Sequence, residues 1–444
     1  MAEQLGVFEK AEDAIAAAKA AQKALVFNHT LEDRDNFIGS IRKEFMANMD
    51  MLTKYELDES GYGRIEDKVA KTTGAVMLSS GTEAIPTRTY ATDKGLTVEY
   101  YAPFGVVGAV TPVTNPIATV AGNGIGCVAS GNSLVVNAHP SAKGCTAAAV
   151  HCINKAIVDA GGPVNLIVMV KEPTMDTLKV IMESPDVKLL VGTGGPGMVK
   201  TLMRSGKKVI AAGAGNPPSI IDETADLEKA AAGIYGSSSF DNNLLCIAEK
   251  EIFVVDAIFD KFMAALEKCG AYILKGDQID KVTATGLIKN EDGSWAPNKQ
   301  CVGKCANVIL AAAGIKVDSD PRIAIFETKF EHPYVQTEQM MPIIPLVRCK
   351  DFAQAMEWAV EAEHDNKHSA SIWSKDITRV TAFGKVINTT IYVQNGGTMA
   401  AFGIGGSGSN APTIATPTGE GVTDPGSFTR RRRFCMADGG NYLL

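Results

Sequence analysis

The chain has 444 residues, 45% hydrophobic and 21% charged, with a formal net charge of −7. That length exceeds the usual single-domain range, so two or three domains are expected; the acidic balance excludes the clustered basic surface that nucleic-acid binding needs. Nothing approaches the ~18 consecutive apolar residues of a membrane span, and nine thinly spread cysteines fit reduced thiols in a cytoplasmic protein better than a disulfide framework.

The opening MAEQLGVFEKAEDAIAAAKAAQKAL carries acidic residues and alanine where a secretory leader needs a positive flank and a continuous apolar stretch, so no leader is expected. The first 85 residues read helical, because Ile38, Ile41, Phe45, Met49 and Leu52 recur at three- and four-residue steps along one face. From residue 103 short β-branched runs alternate with helical stretches: FGVVGAV, NSLVVNA, a helix from Ser141, NLIVMV, a helix, KLLVGTGG, a helix, KKVIAAGAG. Such alternation predicts parallel βαβ units. A second α/β stretch starts near Pro218 with a helix over DETADLEKAAAGIY that Asp222 can cap, and continues through EIFVVD, a helix over Phe259 to Leu266, and the strands ASIWS and TIYVQN. After residue 400 a Gly/Ser/Thr/Pro-rich loop leads to an extended segment at 428–437. Its basic run, Arg430 to Arg433, reads as a solvated face or an ion-paired edge strand.

Gly192, Gly194 and Gly197 in VGTGGPGMVK make a GxGxxG between a strand and a helix, where bare backbone amides can meet phosphate. The acidic ribose partner of an ordinary dinucleotide site is missing, since Lys207 and Lys208 lie near that spacing. Gly403, Gly405 and Gly408 match the same pattern without a strand-turn-helix around them and read as loop glycines. Cys246, in SSSFDNNLLCIAEKEIFVV, falls between a helix and a strand, either an inert buried thiol or a nucleophile. Asn115, in TPVTNPIATV, either forms a turn before Pro116 or offers its amide to an oxyanion. Cys301 and Cys305 in CVGKC have no second pair or nearby histidine to complete a zinc set, so no metal is expected.

In this order, YAPFGVVGAVTPVTNP, GNSLVVNAHPSAK, VGTGGPGMVK, SGKKVIAAGAGNPPSIIDETADL, FDNNLLCIAEK, EQMMPIIPLV and IATPTGEG make the chain resemble the aldehyde dehydrogenase superfamily over nearly its full length. The resemblance is to its CoA-acylating branch, the propionaldehyde and acetaldehyde dehydrogenases of bacterial microcompartments. It implies an α/β fold with a Rossmann-like cofactor domain over 1–217, an α/β catalytic domain over 218–408, and a β-strand oligomerisation arm. Residues 88–102 would contribute to that arm, and 409–444 would supply a return segment and the C-terminal oligomerisation strand.

By the same resemblance Cys246 is the catalytic thiol and Asn115 the amide that holds the substrate oxygen. Thr193, Gly194 and Gly195 lie at the cofactor phosphates, His139 and Pro140 beside the adenosine, and Glu338 on the nicotinamide ribose. The implied reaction is the reversible oxidation of a short aldehyde by NAD, with coenzyme A as co-substrate displacing the acyl group from Cys246 in a ping-pong sequence. A homodimer or dimer of dimers, and a cytoplasmic or microcompartment setting with shell or co-encapsulated enzymes as partners, are implied as well. No targeting extension is expected, because residue 7 already aligns with the enzyme proper.

One departure separates the chain from the hydrolytic members. They place a glutamate, base for water, where VIAAGAGNPP has Ala212. A hydrolytic dehydrogenase giving free acid, and a catalytically silent structural homologue, are the alternatives. Ala212 argues against the first, and Cys246, Asn115 and Glu338 against the second.

Overall fold

The computed structural model describes residues 5–437. They fall into two compact units: one built from the chain up to Glu59, Lys71–Ala212 and the chain from Ser409, the other from Ser60–Ala70 and Gly213–Gly408. Among the described residues, the first unit holds a six-stranded sheet, all parallel, in the order Val7–Phe8, Ile167–Val170, Ser133–Asn137, Val106–Val110, Val187–Thr193, Lys208–Ala212. Its inner strands Ile167–Val170, Ser133–Asn137 and Val106–Val110 are buried along almost their whole length, which is why they read as apolar runs. The chain runs outward from Val106–Val110 in one direction and resumes on its other side at Val187–Thr193, so the strand order reverses there. At such a point the carboxyl-end loops part and leave a crevice.

The face marked by Ile38, Ile41, Phe45, Met49 and Leu52 is the buried face of the helix Leu31–Ser60. The helix Pro116–Ser130 is buried throughout and stops at Gly131, whose φ of 81° is the left-handed conformation glycine adopts without a Cβ penalty. Apart from this sheet, Arg88–Thr92, Gly95–Pro103 and Thr429–Ala437 pair antiparallel, with Gly95–Pro103 in the middle. Thr429–Ala437 carries the basic run as an edge strand, in which Arg433 pairs with Glu99 and the Arg432 guanidinium stands 5.6 Å from the Tyr100 ring centre.

In the second unit the described residues form a seven-stranded parallel sheet in the order Tyr272–Ile273, Ala324–Thr328, Ile343–Cys349, Glu251–Val255, Pro218–Ile221, Ser369–Trp373, Ile391–Gln394. The first helix of this unit's second segment departs from expectation. It spans Leu227–Ser239 and is capped by Asp226, which accepts from the Lys229 N–H at 3.2 Å, and not by Asp222. Asp222 sits wholly buried after the strand Pro218–Ile221, where its charge must be matched. Its oxygens accept from the Thr224 hydroxyl at 2.6 Å, the Ser374 hydroxyl at 2.6 Å and the Arg379 guanidinium at 3.1 Å. Gly403, Gly405 and Gly408 do follow a short 3-10 turn and lie in loop. No helix among the described residues is long and apolar enough to cross a membrane.

Candidate active site

Because the second sheet is parallel, loops entering neighbouring strands meet at one edge. Gly215 and Asn216 precede Pro218–Ile221, Cys246 precedes Glu251–Val255, Glu338 precedes Ile343–Cys349, and His368 precedes Ser369–Trp373. These are the four adjacent central strands, so the residues gather at the amino edge of the sheet. Gly215 is required there by space. A Cβ on it would stand 2.8 Å from both the Cys246 carbonyl oxygen and the His368 ring.

Cys246 stands on an unusual loop. Asp241, Asn242 and Asn243 hold φ of 48°, 56° and 60°, a run of left-handed residues none of which is glycine. Each such residue costs on the order of 1 kcal/mol, and Asp and Asn are the types that tolerate it best. Side-chain bonds fix the run. The Asp241 N–H donates to Asp67 at 3.0 Å, and Arg64 donates to the Asn242 oxygen at 3.0 Å. The Asn242 amide donates to the Gly303 carbonyl at 2.9 Å, and the Asn243 amide to the carbonyls of Ser238 at 2.9 Å and Glu249 at 3.0 Å. Cys246 as a whole residue is half-buried.

Burial, and then the Glu338 carboxylate, push the Cys246 thiol up to about 12, while the Lys250 ammonium pulls it back. Burial pushes Glu338 itself up to about 7, opposed by Lys250 and by the Gly215 N–H. His368 is held neutral, pushed down to about 4 by burial and by Lys250. Hence the charge on Glu338 works against thiolate formation. Glu338→Gln is expected to speed iodoacetamide alkylation of Cys246 at pH 8 by roughly threefold or more, since a neighbouring like charge typically shifts a titration by about a unit. Peptide-resolved mass spectrometry gives the rate, and an unchanged or slower rate would show that Glu338 does not act on this thiol.

The first unit carries the remaining expected residues, at or just beyond the carboxyl ends of adjacent strands: Asn115 after Val106–Val110, His139 and Pro140 after Ser133–Asn137, Thr193 at the end of Val187–Thr193 and Gly194 and Gly195 after it. Asn115 occupies the N-cap position of Pro116–Ser130 but does not cap it, so the turn alone does not account for its side chain. Its amide donates to the Thr114 hydroxyl at 3.3 Å, and its buried oxygen has no partner among the described residues. His139 caps the short turn Pro140–Ala142, accepting from the Ser141 N–H at 3.1 Å.

Gly195 is the N-cap of Pro196–Met203 with no side-chain cap, and a Cβ at Gly195 or Gly197 would meet nothing within 4 Å. Pro196 has no N–H and the Met198 N–H already donates to the Gly195 carbonyl at 2.9 Å, so what this turn offers a phosphate-bearing cofactor such as NAD is room at its glycines beside the crevice of the first sheet, with no side-chain cap in the way. Ala212 ends the strand Lys208–Ala212 opposite Thr193 and brings only a methyl group to that edge.

Sequence reasoning passed over Gly215, Lys250 and His368. A signal was present in CIAEKEIFVV, where Glu249, Lys250 and Glu251 stand in an otherwise apolar run. All three prove wholly buried, and consecutive charges do not bury without a compensating site.

The Aldehyde dehydrogenase family matches residues 4–412. The chain is 41% identical over 441 residues to an acetaldehyde dehydrogenase (acetylating) of Bilophila wadsworthia, covering 98% of this chain and 90% of that protein. The Rhodopseudomonas palustris propionaldehyde dehydrogenase, solved with bound CoA and an acylated cysteine, superposes with a TM-score of 0.94 at 42% identity, covering 97% of this chain and 98% of that one. A propionaldehyde dehydrogenase from the Clostridium phytofermentans fucose utilisation bacterial microcompartment superposes with a TM-score of 0.95 at 43% identity, covering 99% of this chain and 100% of that one. A match that runs from residue 4 to residue 412, joined by relatives above 40% identity over nearly the whole length, places this chain in the aldehyde dehydrogenase family.

Proposed function

We propose that the chain oxidises a short aldehyde, of the acetaldehyde or propionaldehyde class, to its acyl-CoA, with Cys246 as the nucleophile. The observation that carries this reading is the bond-fixed left-handed loop that holds Cys246 at the edge of the second sheet. A relative at 42% identity bears an acyl group on a cysteine. The Cys246 thiolate adds to the aldehyde carbon, and the carbonyl oxygen becomes an oxyanion taken by the Asn115 amide and the Cys246 N–H. Losing one such donor typically costs about 3–4 kcal/mol of barrier.

NAD, when bound, supplies the acceptor for the hydride that leaves this carbon. Thr193, Gly194, Gly195, His139, Pro140 and Glu338 are the residues proposed to hold it. The carbon is then a thioester of Cys246. The CoA thiolate attacks it, the bond to Cys246 breaks, and the cysteine leaves as the thiolate it began as.

The test is product identity. Acetaldehyde and propionaldehyde, each with NAD or NADP and with CoA, should give the matching acyl-CoA by mass spectrometry in step with NADH absorbance. Free acid with no acyl-CoA, or no reduced cofactor, would sink the reading.

Assembly as a dimer or dimer of dimers through the antiparallel arm belongs to the same proposal, as does residence in a microcompartment. Edge strands seek partners, and Arg88–Thr92 is exposed along its whole length. Ending the chain after Phe428 removes the strand Thr429–Ala437 and is expected to lower the mass seen by light scattering. An unchanged mass would clear the arm of that role.

A further inference from the structure

We infer that Lys250 is a positioning residue for Cys246: its ammonium gathers the acceptors of Asn243 and Leu245, holds the left-handed loop in shape, and keeps a positive charge beneath the nucleophile. The inference rests on Cys246 being the nucleophile. Lys250 is wholly buried and donates to the Asn243 carbonyl at 2.8 Å, the Leu245 carbonyl at 2.9 Å and the Asn243 side-chain oxygen. Leu245 directly precedes Cys246, and Asn243 is the last of the left-handed run, so one cation ties together both residues that set where the thiol points. A methionine would fill the same space without the cost of burying a charge, so packing alone does not account for a lysine here.

The ionisable groups facing Lys250 are Glu338, Cys246, Glu251, Glu249 and His368. Burial pushes Glu249 and Glu251 upward, Glu251 well beyond the usual carboxylate range; donors, first among them Ser237, pull Glu249 back, as the Lys250 ammonium does Glu251. His368 is neutral above about 4. Glu338 is the neighbour that titrates near neutrality, pushed up to about 7, while burial pushes Lys250 down to about 8. Through neutral pH the lysine is therefore the charge that favours a Cys246 thiolate.

The experiment compares wild type, Lys250→Met and Lys250→Arg as full-length enzyme. Thermal melting checks folding, steady-state kinetics separates kcat from KM, and peptide-resolved mass spectrometry follows iodoacetamide alkylation of Cys246 from pH 7 to 9.5. Lys250→Met should lose at least about tenfold in kcat with KM changed less than about threefold, as for a misplaced reacting group. Its Cys246 alkylation at pH 8 should slow about tenfold, because fewer thiols are ionised. Lys250→Arg keeps the charge and should hold alkylation within about threefold of wild type while recovering part of kcat.

A folded Lys250→Met with kcat and alkylation both within about twofold of wild type overturns the inference. Should that variant not fold, Lys250→Gln, which keeps a donor but not the charge, carries the test: its Cys246 alkylation at pH 8 should slow at least about threefold, and an unchanged rate overturns the inference. Cys246→Ala separates the two readings: turnover there sinks the nucleophile itself, whereas an inactive Cys246→Ala beside an unaltered Lys250→Met sinks only the lysine's role.

Discussion

Replacing Cys246 by alanine is expected to abolish aldehyde oxidation, by at least about 10³-fold in kcat, with NAD affinity kept within about threefold. The loss follows from the proposed chemistry, in which the thiol makes the one covalent bond and no other group can take its place. The affinity is kept because all but one of the residues proposed to hold the cofactor lie at or just beyond the carboxyl ends of Val187–Thr193 and Ser133–Asn137. Removing one sulfur atom makes little cavity, so stability should change by no more than about 1 kcal/mol. Turnover and cofactor affinity are to be measured on the same preparation. Residual turnover within tenfold of wild type would sink the assignment of Cys246.

Without CoA the wild-type enzyme should release NADH in a burst of about one equivalent per site and then nearly stop. General-base help to a nucleophile is typically worth 10²–10⁴-fold, and Ala212, at the end of Lys208–Ala212, has only a methyl group where the resemblance puts the glutamate that hydrolytic members use as base for water. A thiol needs less assistance, being intrinsically nucleophilic and already a few per cent ionised near neutrality. Adding CoA should therefore restore steady turnover with ping-pong kinetics, rising with pH toward the ordinary thiol value of about 8.5. Ala212→Glu is the matched variant. Ala212 is buried, so a carboxyl there would be raised toward the range of a general base, and CoA-independent acid formation should increase. Rapid, steady acid production by the wild type without CoA would instead promote the hydrolytic reading.

The sheets were legible in the sequence because burial on both faces makes parallel strands near-continuous apolar runs. FGVVGAV, NSLVVNA and EIFVVD announce Val106–Val110, Ser133–Asn137 and Glu251–Val255 almost to the residue. The helical face through Phe45 was legible for the matching reason of period. What escaped depends on contacts far apart in the chain. Ser60–Ala70 groups with the second unit although it lies among residues of the first, and no local pattern marks that. Asp222 and Asp226 are both plausible caps locally. Only Ser374 and Arg379, some 150 residues on, claim Asp222 for the interior.

The site divides along the same line. The glycine loop follows from local spacing of Gly194 to Gly197, whereas the edge formed by Gly215, Lys250, Glu338 and His368 requires knowing which strands are neighbours. The reversal of strand order beside Val187–Thr193, which opens the crevice, was not visible in the sequence.

The interleaving of the two units has a consequence for how the protein is made. Phe428 and Ala415 belong to the buried core of the first unit, yet Gly213–Gly408 must leave the ribosome before either emerges. At about 5–20 residues per second that interval lasts on the order of 10–40 s. Throughout it, the nascent first unit holds a finished sheet whose helix Pro116–Ser130 still lacks the ring that packs against Gly126. The second unit, contiguous but for Ser60–Ala70, which is already synthesised, has every residue it needs once Gly408 is out. Synthesis thus favours completion of the nucleophile-bearing half ahead of the half that begins the chain.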